Sequence, residues 1–186
     1  MPITGQGWEL HVVRKTTQSR SVGTSRIRTV GTYQVFHDGV AQTGAGMAGT
    51  MAESKGVGKN APAGNGRRIE EGRYPLSTQD GAHYKTWNYG PTENIGVNPK
   101  PGFLVLDTNQ RVGILVHPGK NSFLSSVGCF NPCTALPTAA MIIDYKPSRA
   151  RVIAMIEDMK GFAGSGFPTR NGRRIPNAFI VVDGEP

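Results

Sequence analysis

No stretch of the chain approaches the ~18 consecutive apolar residues that a membrane-crossing helix requires, so a helical transmembrane segment is excluded. Cysteine is nearly absent. Only Cys129 and Cys133 occur, within CFNPC, too few for the disulfide framework of a small secreted scaffold. The opening residues, MPITGQGWELHVVRK, lack the basic-then-apolar order of a signal peptide, and synthesis in the cytoplasm without a leader is expected. Acidic residues are sparse too: 13 Asp and Glu stand against 21 Lys and Arg, a formal charge of +8. That excess suits an anionic partner, whether nucleic acid, a membrane face or the bacterial cell wall, and does not choose among them.

What is present describes one mainly β domain spanning 1–186. A chain of 186 residues buries roughly 70% of its unfolded surface, and a hydrophobic fraction of 37% alongside 25 glycines is that of an ordinary globular domain rather than a disordered one. With 13 prolines beside those glycines, turns are frequent and long helices few. Trp8 to Arg14 alternates with the period of a half-buried strand. Ser25 to Phe36 reads as another, followed by His37-Asp38-Gly39-Val40, whose Asp-Gly pair favours a type I′ hairpin. Positions 43–66 are so rich in Gly and Ala that a long surface loop is expected. Positions 67–77 read as a turn and a short strand, and 99–119 as two strands about an Asp-Thr-Asn-Gln turn. Thr134 to Tyr145 fits a helix or a strand. Ser148 is expected to cap a helix over RARVIAMIEDMK that Gly161 stops. Ala178 to Val182 reads as a closing strand.

The segment GILVHPGKNSFLSSVGCF at 113–130 carries the chemistry. His117 ends an apolar strand, and a Gly/Asn/Ser loop leads to Ser126-Val127-Gly128-Cys129. A thiol attacks as thiolate, and a nearby imidazole or aligned N–H groups supply the stabilisation it needs. Gly128 permits a sharp turn whose amides face a developing oxyanion. An isolated Cys and His would more often be packing residues. Here, a strand histidine followed about a dozen residues later by Ser-x-Gly-Cys resembles the catalytic signature of L,D-transpeptidases. The order VGTYQVFHDG, GTMAES, RRIEEGRYPL, VHPGKN and SVGC, over roughly positions 8 to 133, is similar to a small bacterial and phage branch of that superfamily.

The resemblance implies a twisted β-sandwich with one or two helices packed on it. It also implies a cysteine nucleophile acting on peptidoglycan stem peptides as L,D-transpeptidase, L,D-carboxypeptidase or both. Cys129 would be the nucleophile and His117 the general base, with Ser126 and Gly128 shaping the turn and oxyanion site. Two departures stand out: Val127 replaces the family's second histidine, and Phe130-Asn131 replaces the residue-then-arginine after the cysteine. Asn131, Lys120 or Arg73 are the candidates to take that arginine's place on a substrate carboxylate. Glu53 matches an acidic position of the branch and is a candidate to orient His117 or bind an amine, although most loop glutamates are merely solvated. His83 and Tyr84 are candidates to line a peptide or sugar groove.

No cofactor is expected. Cys-x3-Cys with His117 falls short of a structural zinc site. Acting on the wall without a leader implies non-classical delivery to the periplasm, as a secretion-system effector with a cognate immunity protein or as a phage product. A catalytically idle wall-binding or structural module is the alternative. Nucleic-acid binding is weaker, because the arginines are dispersed and no recognised motif accompanies them.

Overall fold

The structure, a computed structural model, describes residues 2–22 and 24–186. Its frame is a long antiparallel hairpin of β1 (Trp8–Val22) and β2 (Thr24–His37). Trp8, Leu10 and Val12 are buried, as their alternation demands. A register shift between Arg14 and Thr16 lies opposite Gly31, where a β-carbon would strike the Val13 carbonyl oxygen, so the bulge and the glycine belong together. Asp38 and Gly39 both have positive φ, 45° and 82°, as a type I′ turn requires. They return the chain as β3 (Val40–Ala41) on Phe36 and His37.

The Gly/Ala-rich segment expected as a surface loop instead contains β4 (Ala48–Ser54), paired with β2 from Gln34 to Arg28. A central strand needs no strong hydrophobic period when its backbone is bonded on both sides, and here only Met51 and Ala52 enter the core as apolar residues. β5 (Gly72–Thr78), the two-residue β6 (Tyr84–Lys85) and β7 (Lys100–Pro101), and β8 (Phe103–Val105) follow. Phe103 and Leu104 pair with Val116 and Leu115 of β9 (Leu115–Val116). The expected hairpin at 99–119 therefore forms, with a longer connection than a tight turn. β10 is Asn131–Cys133, and β11 (Arg174–Asp183) lies parallel to β1.

The main sheet runs β10-β4-β2-β1-β11-β5-β8-β9, with β3 on the side of β2. Its two ends then meet. Phe130, just before β10, bridges in parallel to Val116 of β9, its N–H on the Leu115 carbonyl (2.8 Å) and its carbonyl on the His117 N–H (3.0 Å). The expected mainly β fold with a packed helix is thus a nearly closed sheet with one long α-helix.

That helix, α1, spans Tyr145–Ala163 and turns Val152, Met155, Ile156 and Met159 into a core shared with Trp8, Ile175 and Ile180. It starts earlier and ends later than its sequence signals. Ser148 is no cap: it is buried in the first turn, donating to the Pro132 carbonyl (2.5 Å) and accepting from the Gly119 N–H (2.8 Å). The distant Asn121 accepts the Tyr145 N–H instead (2.7 Å). Gly161 stays within the helix, which closes at Gly164 with φ 53°. Residues 134–143 form neither helix nor strand; Ile143 is buried and bridges Ser122, while Met141 and Ile142 are exposed.

A buried ionic knot ties the hairpin to the chain's last residues. Arg14 meets Glu53 with two hydrogen bonds (3.0 and 2.8 Å), and Glu185 reaches both Arg14 (3.1 Å) and Arg68 (2.5 Å). Both arginine side chains are wholly buried. Removing one partner of such a pair strands the other charge, at a cost of about 3–5 kcal/mol. Glu53→Ala is expected to lower the unfolding free energy by about that amount in urea titrations, whereas Glu93→Ala, in an exposed pair with Lys146, changes it by less than about 1 kcal/mol.

Candidate active site

The seam that closes the sheet brings the two chemical residues to one side of it. Val116 and Phe130 point into the core. By the alternation of extended chains, their neighbours Leu115, His117, Cys129 and Asn131 share the opposite face. Pairing across the seam sets 115 beside 129 and 117 beside 131. His117 and Cys129 are therefore diagonal neighbours.

His117 is held on all sides. Its Nδ1–H donates to the Pro118 carbonyl oxygen (2.8 Å), and Asn131 Nδ2 donates to the His117 backbone oxygen (2.9 Å). The Tyr84 ring packs on the imidazole at 4.4 Å between centroids. With Nδ1 as donor, Nε2 keeps its lone pair and is the basic atom. Burial is the main cause that lowers the imidazole pKa to about 4; the Lys120 and Lys100 charges act in the same direction, against the Pro118 hydrogen bond. The ring is neutral at pH 7, the form a general base needs.

Cys129 is half-buried, its Sγ accepting from the Leu115 N–H (3.4 Å) and donating to the Gly113 carbonyl (3.7 Å). Burial pushes its pKa up, opposed by the Leu115 N–H and the Arg111 charge. No hydrogen bond joins this sulfur to His117. The resting pair is thus a thiol and a neutral imidazole, not an ion pair. Catalytic hydrogen bonds that are loose without substrate commonly tighten in the complex.

The turn before the cysteine is built as the sequence suggests. Ser126 Oγ donates to the Cys129 carbonyl (2.8 Å), and Ser54 Oγ donates to the Ser126 carbonyl (3.2 Å). Gly128 has φ 126°, and a β-carbon there would fall on the Arg111 guanidinium. Among the described residues, the Gly128 and Cys129 N–H groups have no acceptor, and two free adjacent amides at a nucleophile are what an oxyanion requires.

Arg111 is the residue that sequence reasoning missed. It is buried and donates to Asn65 Oδ1 (2.6 Å) and to the carbonyls of Arg67 (2.7 Å), Val127 (2.9 Å) and Lys59 (3.3 Å). All four partners are neutral, so its full charge persists beside the nucleophile turn. Nothing in the chain's pattern separates it from 20 other Lys and Arg residues. Its distinction is burial against Gly128, in the turn before Cys129.

The other candidates divide. Tyr84 and Asn131 touch His117, and Lys120 Nζ lies 5.6 Å from the Tyr84 ring. His83 is exposed, lending only its carbonyl to the Lys100 N–H. Arg73 is engaged elsewhere, bonded to Glu9 (3.1 Å) and lying over the Phe179 ring (3.2 Å). A role for it on a substrate carboxylate beside Cys129 is thereby corrected. Glu53 is likewise corrected: it neither orients His117 nor faces solvent, because Arg14 takes both its oxygens. Cys133 is buried against the Thr50 carbonyl (3.6 Å), its thiol pushed up to about 12 chiefly by burial. Four residues of extended chain span roughly 13 Å, too far from Cys129 for a disulfide.

No protein-family model, curated protein or solved structure matches the chain.

These positions order the two thiols. Iodoacetamide at pH 8 is expected to label Cys129 well before Cys133, as read by peptide mass spectrometry. Arg111→Met is expected to slow Cys129 labelling by about threefold to tenfold, the effect of up to one further pKa unit, with Arg111→Lys in between.

Proposed function

We propose that the protein is a cysteine-dependent acyl-transfer enzyme acting on peptidoglycan stem peptides, as L,D-transpeptidase, L,D-carboxypeptidase or both. The observation that carries the reading is a neutral histidine, its Nδ1 fixed by a carbonyl, sharing one face of the seam with a cysteine beside free amides. In the proposed cycle, His117 Nε2 takes the Cys129 proton as Sγ attacks the meso-diaminopimelate carbonyl of its amide bond to the D-residue. The Gly128 and Cys129 N–H groups receive the oxyanion. The C–N bond then breaks, the imidazolium protonates the departing D-residue amine, and a thioester remains. Water or an acceptor amine, deprotonated by the same imidazole, releases the acyl group and restores the thiol. The substrate lies outside the cytoplasmic membrane, so the proposed site of action is the periplasm.

The resting thiol, raised above its ordinary pKa and unbonded to His117, favours a second reading: an idle wall-binding module. Turnover separates the two. Purified protein with tetrapeptide muropeptides and an amine acceptor is expected to shorten or exchange the stem, with Cys129→Ala and His117→Ala each lowering the rate at least about 100-fold. Intact tetrapeptides by mass spectrometry, with folded protein, would leave the idle module standing. The base must be neutral to act, so the acid limb of kcat/KM is expected to fall as pH drops through about 4, the His117 value, provided circular dichroism shows the fold intact there.

A further inference from the structure

Toward its N-terminal end, strand β2 loses its outer neighbour. Its last pair with β4 is Arg28 with Ser54, and the chain leaves at Lys55. Beyond that point Arg26 and Ile27 pair only with β1, through Arg20 and Ser19. The position a longer β4 would occupy is open, and a cleft of about 580 Å³ lies there. Arg26, Ile27, Ser54 and Lys55 form one wall; Lys120 and the Ser126-Val127 turn, directly upstream of Gly128 and Cys129, form another. A second cleft of about 450 Å³ shares Ile27 and Lys55 and continues to Gly56 and Arg67. The two clefts adjoin at Ile27 and Lys55, and the groove they line reaches the nucleophile turn at Ser126 and Val127.

The charged side chains of the groove are all cationic, and Pro186 lines its far end. The groove is lined by Arg26, Lys55, Arg67 and Lys120 and by no Asp or Glu side chain. None of these four cations is in an ion pair among the described residues. Val127 is 69% exposed and Ile27 38%, so apolar contact is available between the charges. An open strand edge accepts an extended chain through main-chain hydrogen bonds, while flanking pockets select side chains. No Phe, Tyr or Trp lines either cleft, and a single-stranded nucleic acid would want such a stacking platform.

We propose that this groove seats an extended, carboxylate-bearing peptide as an added strand against Arg26 and Ile27, with its carboxylates on Arg26, Lys55 and Lys120 and its scissile carbonyl at Cys129. This rests on the acyl-transfer reading and names the part of the protein that recognises the acyl donor. It gives the substrate's negative charge a seat that Arg73, held by Glu9, does not provide.

The test uses the full chain carrying Cys129→Ala, titrated by NMR and calorimetry with the stem tetrapeptide and with the same peptide amidated at its carboxyls. The acid form is expected to shift the Arg26 and Ile27 amides and to bind about tenfold more tightly than the amide, roughly the worth of one charge-assisted hydrogen bond. Arg26→Gln with Lys55→Gln is expected to remove that preference. Equal affinities, shifts confined to other surfaces, or displacement of the peptide by a single-stranded oligonucleotide would each overturn the groove assignment. In the chain that retains Cys129, the same double variant is expected to raise KM about tenfold with kcat kept. Turnover with unchanged KM would sink the groove and spare the chemistry; acid-selective binding without any turnover would sink the chemistry and spare the groove.

Discussion

Everything about the candidate site depends on one pairing, the parallel contact of Val116 with Phe130 that brings the first and last strands of the sheet order together. Two backbone hydrogen bonds and two core side chains hold it. Because side chains alternate, turning Val116 and Phe130 into the core obliges His117 and Cys129 to share the other face, His117 buried there and Cys129 half-buried. A slip of one residue on either side would turn one of them into the core and take a core residue out of it. The hydrophobic effect sets the register, and the chemistry inherits it. Ser148 and Asn121 fasten the same region to α1, so the loop that carries the nucleophile is braced by the helix as well as the sheet.

Electrostatics around the seam have a consistent sense. Burial, with Lys120 and Lys100 acting in the same direction, keeps His117 neutral; Arg111 opposes the burial that raises the Cys129 thiol; and among the described residues no carboxylate is a hydrogen-bond partner of His117, Cys129 or Arg111. Two buried acidic residues are spent on architecture. Glu53 neutralises Arg14, and Glu9 binds Arg73 and the Thr4 amide. A positive site with its anions withheld suits an anionic ligand, and the groove along β2 extends that field outward from the turn. The +8 charge is therefore organised, not merely large.

Much of the local structure was legible in the chain because its causes are local. The Asp38-Gly39 turn follows from two positive φ values that few residue pairs tolerate. The Trp8-Leu10-Val12 period and the apolar face Val152, Met155, Ile156, Met159 follow from burying one side of a strand or helix. Where the reading missed, the cause lay across the fold. β4 is a strand because β2 and β10 bond its two edges, although its own residues are mostly small. The helix start belongs to Asn121, 24 residues away in sequence, and not to the serine with the better local signature.

The same division holds for the candidate site. Residue order, through the family resemblance it carries, singled out Cys129, His117, Ser126 and Gly128 as candidates, since a strand-end histidine and a glycine turn before a cysteine are short-range patterns. Whether Glu53 and Arg73 served that chemistry depended on which charge each would meet. Arg111 was one cation among many until its burial against Gly128 set it apart. Burial, tautomer and unpaired amides arise from contacts between segments far apart in the chain. Sequence determined which groups were available; tertiary structure decided which were brought into low dielectric together, where a charge or hydrogen bond counts for most.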